Sequence, residues 1–220
     1  MTHEHSSSSS SYWENAFDVS HKLACEQLAR VGDLRQQCVR SGARYVGPNE
    51  VTIDHLNQSY RIVISNCKIS LDESGAEAAL VDKILLLHYF TRAKGTAPTG
   101  ELIAFRQLSG GASYLPAFSH RAIGPLVRNF GSDPELLREA AAKLGGREAG
   151  YGDVSVTISA FDRVPVTLVL WRGDEDVAPN GSILFDSNVS DYLATEDVTV
   201  VCETIIRKLA RCIPSTKGRS

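Results

Sequence analysis

DVSVTISAFDRVPVTLVLW, residues 153–171, is the stretch on which the fold class turns. Val154, Val156 and Ile158 alternate with Ser155, Thr157 and Ser159, the two-residue period of a strand with one face to a core and one outward. After the short break DRVP comes VTLVLW, residues 166–171, a nearly unbroken apolar run of the kind seen in strands covered on both faces. Two such segments separated by a tight polar break form an antiparallel hairpin.

Upstream, EVTIDHL and SYRIVIS repeat the alternation, with Tyr60, Ile62 and Ile64 on one side and Arg61, Val63 and Ser65 on the other, so a further hairpin is expected. Helical sequence surrounds these strands. Residues 12–40 read as a leading helical pair broken at Val31 to Asp33. Residues 72–95 read as a central helix capped by Asp72 or Ser74 and ended by Gly95. Its segment 84–90 is apolar nearly all round and therefore buried. ELIAF offers a short strand, and Gly110-Gly111 after it a turn or a close backbone approach. SDPELLREAAAKLGG is a helix with a capping box from Ser132 and Glu135 and a terminal Gly145. The last helix runs from near Thr195 to before Pro214. Val198, Val201, Cys202, Ile205, Leu209 and Cys212 lie on one stripe, and Glu196 and Asp197 sit at its positive end.

The expected architecture is α+β: a single compact domain over residues 12–214, with a mostly antiparallel sheet from two hairpins packed on a buried central helix and terminal helices. Residues 1–11 and 215–220 are expected to be disordered polar tails. At 220 residues and 43% hydrophobic, the chain can bury one sizeable core. Its 23 basic against 26 acidic residues give a formal charge of -3, which argues against nucleic acid or an anionic membrane as partner. MTHEHSSSSSS carries no apolar run, so neither a signal peptide nor an anchor is read there, and a cytoplasmic setting is expected. The five cysteines are scattered without a CxxC pair. They are expected to be free thiols, with no metal site.

Residues 170–197 hold seven carboxylates against one base, Arg172. A calcium-hand loop counted from Asp174 fails, because Ala178 and Pro179 occupy its fifth and sixth positions. A looser oxygen cage from Asp174, Glu175, Asp176 and Asp186 competes with a solvated loop. His88 shares a helical stripe with Val81, Ile84 and Leu85. It is either a core imidazole satisfied by a hydrogen bond or, with Tyr89, a proton-handling pair at a pocket. Gly110-Gly111 is either a structural turn or a phosphate cradle. No GK[ST], GxGxxG, GxSxG or HExxH pattern accompanies any of these.

LLLHYF, FRQLSGGASYLPAF, the segment from KLGG through GYGDVSVTISAFDRVPVTLVLWRGDED, and ILFDSNVSDYLATED together resemble an uncharacterised family, number thirty-seven eighty-six among domains of unknown function. The likeness runs from about Trp13 to Cys212. The resemblance implies a protein chiefly of anaerobic bacteria and archaea, without an assigned activity. Some members are described as iron-sulfur proteins because a cysteine-rich module is attached. This chain has no such module, and it has Asp176 and Val177 where the family has glutamate and an aromatic residue. The family's motif blocks contain His88, Tyr89, Phe105, Arg106, Gly110, Gly111, Tyr114, Phe118, Asp153, Trp171, Gly173, Asp174, Glu175, Asp186, Tyr192, Glu196 and Asp197.

Three functions follow as expectations. The first is a small-ligand or cofactor binding or accessory protein of anaerobic metabolism, its cleft between the Gly110-Gly111 turn and the Asp174-Glu175 loop. Arg106 would clamp the ligand or pair an acid, Trp171 and Tyr114 would supply flat contact area, and His88, Tyr89 and Asp186 would line the site. The second is an enzyme using His88 with Asp174 or Glu175 as acid and base. The third is a structural subunit whose acidic rim meets a basic protein partner. The cofactor stays unidentified.

Overall fold

The computed structural model describes the backbone of residues 7–213 and the side chains of residues 16–213. Of the expected tails, residues 1–6 and 215–220 lie outside the described residues, whereas residues 7–11 are helical. The chain is α+β, and by packing it divides into two compact units: residues up to Asp54 with Gln58–Gly95, and His55–Asn57 with residues from Thr96 onward.

In the first unit, helix α1 (Ser7–Leu28) is followed by α2 (Leu34–Ser41), the expected helical pair. The break between them has a local cause. Asp33 leaves helical geometry and its carboxylate accepts the Gln36 N–H at 2.9 Å, capping α2. Strands β1 (Arg44–Gly47), β2 (Glu50–His55), β3 (Gln58–Val63) and β4 (Lys68–Leu71) then form antiparallel ribbons, with Ile62 opposite Ile69. β2 and β3 reverse through Leu56 and Asn57, both at positive φ (49° and 62°), as a two-residue hairpin turn requires.

Helix α3 (Leu80–Arg92) buries Leu85, Leu86, Leu87, Tyr89 and Phe90, as its apolar run dictates. Its start differs from the expectation. Residues 72–75 are not its first turn. They reverse the chain so that Ser70 bridges Glu77, and α3 begins at Leu80 with Ala79 in the cap position and no side-chain cap. An Asp or Ser favours turns as well as caps, and here pairing beside β4 wins. The helix also ends at Arg92, short of Gly95.

The second unit opens with β5 (Leu102–Ala104), a 3-10 turn over Phe105–Gln107, and α4 (Gly111–Phe118), which continues through a π turn (Ser119–Ile123) into α5 (Gly124–Phe130). Helix α6 (Glu135–Lys143) lacks the expected capping box, because Pro134 stands at its cap position, where no side chain closes the first turn. Its far end closes as read, with Gly145 and Gly146 donating back to Ala142 and Ala141.

Strands β6 (Arg147–Glu148), β7 (Val154–Phe161), β8 (Val164–Trp171) and β9 (Asn180–Asp186) complete this unit's sheet. β8 lies between β7 and β9, and β5 pairs with β9. The expected hairpin of residues 153–171 is present, with Val156 opposite Leu168 and Thr157 opposite Thr167, and its break narrows to Asp162-Arg163 because Val164 and Pro165 already pair in β8. All of residues 166–170 are buried, so both faces of β8 are covered, as its unbroken apolar run required. Ser155 departs from the alternation. It is buried, because its hydroxyl donates to Ala149 O at 2.7 Å and accepts the Tyr151 N–H at 2.9 Å, stitching the loop before β7. Helix α7 (Thr195–Arg211) buries Val198, Val201, Cys202, Ile205 and Leu209, while Cys212 just beyond it is half-buried.

No helix among the described residues is long and apolar enough to cross a membrane.

Candidate functional site

The Gly110-Gly111 turn is a close backbone approach. Gly110 takes φ 73°, and a Cβ on Gly111 would stand 2.0 Å from the Phe105 carbonyl oxygen, so only glycine fits where the 3-10 turn meets α4. Thr195 fastens this turn to the start of α7 by donating to Ser109 O at 2.7 Å. Arg106 and Tyr114 beside it are exposed, and Arg106 makes no ion pair among the described residues.

The acidic loop is held by its own backbone. Asp174 accepts the N–H groups of Asp176 and Val177 at 2.9 and 2.8 Å, and its own N–H donates to Val177 O, so its carboxylate builds the loop. Glu175 is exposed and Trp171 is 41% exposed at the end of β8. Arg172, the base among the acids, pairs with Glu135 of α6 at 2.6 Å, while its N–H donates to Asp153 at 2.7 Å.

Asp186, 3% exposed, accepts from Thr99 N and Oγ1, Gly100 N and Asn188 N at 2.8–3.1 Å. Burial pushes its pKa up, but these donors outweigh burial and hold it below the ordinary carboxylate range. The group pins residues 99–100 to the end of β9. In α3, His88 is half-buried, and Tyr89 is fully buried with its hydroxyl donating to the Ser41 carbonyl.

Two constellations not singled out in the sequence lie in the first unit. One is a cleft of about 480 Å³ where α1, α2 and the end of α3 meet, lined by Gln27, Arg30, Gln36, Arg40, Thr91 and Arg92 among others. Its floor is fixed by Gln37, whose amide donates to the carbonyls of Phe90 and Ala93 and so ties α2 to the end of α3. Gly95, at φ 85°, makes room for the Arg40 stem, since a Cβ there would meet Arg40 Cγ at 3.1 Å. No carboxylate pairs with Arg30, Arg40 or Arg92 among the described residues. Asp33, also at the rim, is engaged in capping α2.

The other constellation corrects the expectation of five free thiols. Cys25 of α1 and Cys67 in the β3–β4 turn are joined as a disulfide, with Cα atoms 5.7 Å apart, leaving Cys38, Cys202 and Cys212 free. A sequence separation of 42 between the two cysteines hid a pairing that only the packing of α1 creates. His21 stands one turn before Cys25, with Nε2 3.6 Å from its Sγ. Ligand atoms of His21, Cys25 and Cys67 all lie within 4.8 Å of one another, and all three residues are half-buried. Burial, with Lys83 nearby, lowers the His21 pKa against the opposing pull of Asp18 and Glu77, favouring the neutral imidazole. The i, i+4 spacing of His21 and Cys25 was the readable half of this cluster. The arginines of the cleft, spread over three helices, left no local signal.

A family model described as Domain of unknown function (DUF3786) matches residues 33–208. The chain belongs to this family. The match takes in Asp33, Gln36, Arg40, Cys67 and Arg92, whereas His21, Cys25 and Arg30 precede it. No curated protein and no solved structure matches the chain.

Proposed function

We propose that this DUF3786 protein is a small-ligand-binding protein whose ligand is anionic and sits in the cleft between α1, α2 and the end of α3. The observation that carries this reading is the convergence of Arg30, Arg40 and Arg92 on one concavity without a pairing carboxylate among the described residues. An anion with several oxygens would offset three positive charges that line one concavity, and each guanidinium fork can give a carboxylate or phosphate two parallel N–H bonds. Gln27 and Gln36 add neutral amide donors that would orient it. The cytoplasmic setting expected from the sequence and the anaerobic accessory role implied by the family resemblance are kept. The site moves from the Asp174 loop to the helical cleft, and the favoured ligand charge becomes negative. Asp174 and Asp186 are left to build loops, since their carboxylates are engaged by backbone N–H groups.

Calorimetric titration with orthophosphate, pyrophosphate and citrate tests this. At least one anion should bind, more weakly as salt rises, and Arg40→Gln or Arg92→Gln should weaken it by about tenfold or more, a loss of roughly 1.4 kcal/mol or more. Absence of binding by all three anions, or undiminished affinity in both variants, refutes the reading.

A further inference from the structure

We propose that His21, Cys25 and Cys67, in the dithiol state, form a binding site for a thiophilic divalent cation of the zinc type, and that disulfide formation releases it. The disulfide alone would account for two sulfurs at this place. It does not account for an imidazole one helical turn away with Nε2 3.6 Å from Sγ, an arrangement that presents His and Cys side by side along α1. His and two Cys are the donor types that select zinc over hard cations, and three protein ligands leave a fourth, tetrahedral position to water.

The geometry needs little change. With metal–sulfur bonds of about 2.3 Å and a tetrahedral angle, the two sulfurs stand about 3.8 Å apart. A Cα separation of 5.7 Å reaches that by side-chain rotation while α1 and the β3–β4 turn stay in place. Half-burial of all three residues gives both a metal and a reductant access. Lys83, the cation that acts on His21, is paired with Glu77, which offsets part of its charge.

The exchange balances. A dithiol reductant gives two electrons and two protons to the Cys25–Cys67 bond and leaves as its own disulfide. The cation then displaces the two thiol protons and binds two thiolates and neutral His21. In the reverse direction, a disulfide oxidant takes two electrons from the thiolates and two protons from water to become a dithiol, the Cys25–Cys67 bond re-forms, and the cation departs. This site is independent of the arginine cleft, so either proposal can fail alone.

The test uses the full chain, reduced with excess dithiol, freed of reductant without oxygen, and titrated with Co²⁺ alone and then Zn²⁺ alone. Reduced protein should take up one equivalent of Co²⁺ with a thiolate-to-cobalt charge-transfer band, and Zn²⁺ should displace it. The oxidised chain should show no such band. His21→Gln, which leaves both sulfurs in place, should weaken the cobalt complex by about tenfold or more, and Cys67→Ser should remove most of the band. Binding at His3, His5 or Cys212 is separated by its survival in these variants. A reduced chain without the band, a band unchanged in both variants, or a disulfide that resists the dithiol while the chain remains folded overturns the proposal.

Discussion

Asp186 shows how a single carboxylate is diverted from chemistry to structure. Five contacts from Thr99, Gly100 and Asn188 fill its oxygens, and an amide in its place would turn an N–H toward other N–H groups. Asp186→Asn should therefore lower stability by about 2 kcal/mol near neutral pH, read from urea unfolding at constant m-value. Because the folded pKa is held below the ordinary value, the carboxylate's contribution is present above that value and is lost as pH falls through the folded pKa. The gap between wild type and variant should accordingly be full at about pH 6–7 and shrink below about pH 4. A constant gap across that range would mean that the carboxylate's charge does not stabilise the folded chain.

At the scale of elements, the junction from the 3-10 turn into α4 is set by two glycines with different tasks. Gly110 supplies a left-handed residue, which another side chain adopts at a cost of about 1 kcal/mol. Gly111 supplies absence, since the Phe105 carbonyl fills the space of a Cβ. Thermal or urea unfolding should thus find Gly111→Ala more damaging than Gly110→Ala, by about 2 kcal/mol or more against about 1. The reverse order would show that the turn yields at Phe105. Farther along, Arg121 in the π turn reaches Glu196 at 2.7 Å and Glu203 at 2.9 Å on α7. This ties the α4–α5 segment to the helix whose positive end Glu196 also serves.

Across the whole molecule, the Cys25–Cys67 bond is the longest-range covalent constraint among the described residues. Closing a 42-residue loop removes chain entropy equivalent to about 4 kcal/mol in the unfolded state, by the loop-length relation. Reduction should lower the melting temperature by on the order of 10 °C for a chain of this length. Thiol counting on denatured, unreduced protein should return three, from Cys38, Cys202 and Cys212, rising to five after reduction. Five before reduction would show that the bond is absent.

Residues 153–171 carried their strands, their pairing as a hairpin and, Ser155 apart, their burial in their own side-chain order, because a two-residue period and an apolar run are local properties. The helical pair broken at Asp33, α7 from Thr195 and the glycine approach at Gly111 were legible for the same reason. The start of α3 was not. Residues 72–75 suit a cap and a turn equally, and pairing beside β4 decided between them. Nor could order along the chain reveal that Cys67 meets Cys25 and His21, or that Arg30, Arg40 and Arg92 face one cleft. Sequence determined which segments are strands and helices through short-range periodicity. Tertiary structure alone decided which distant side chains became neighbours, because that depends on how helices pack once their apolar faces are buried.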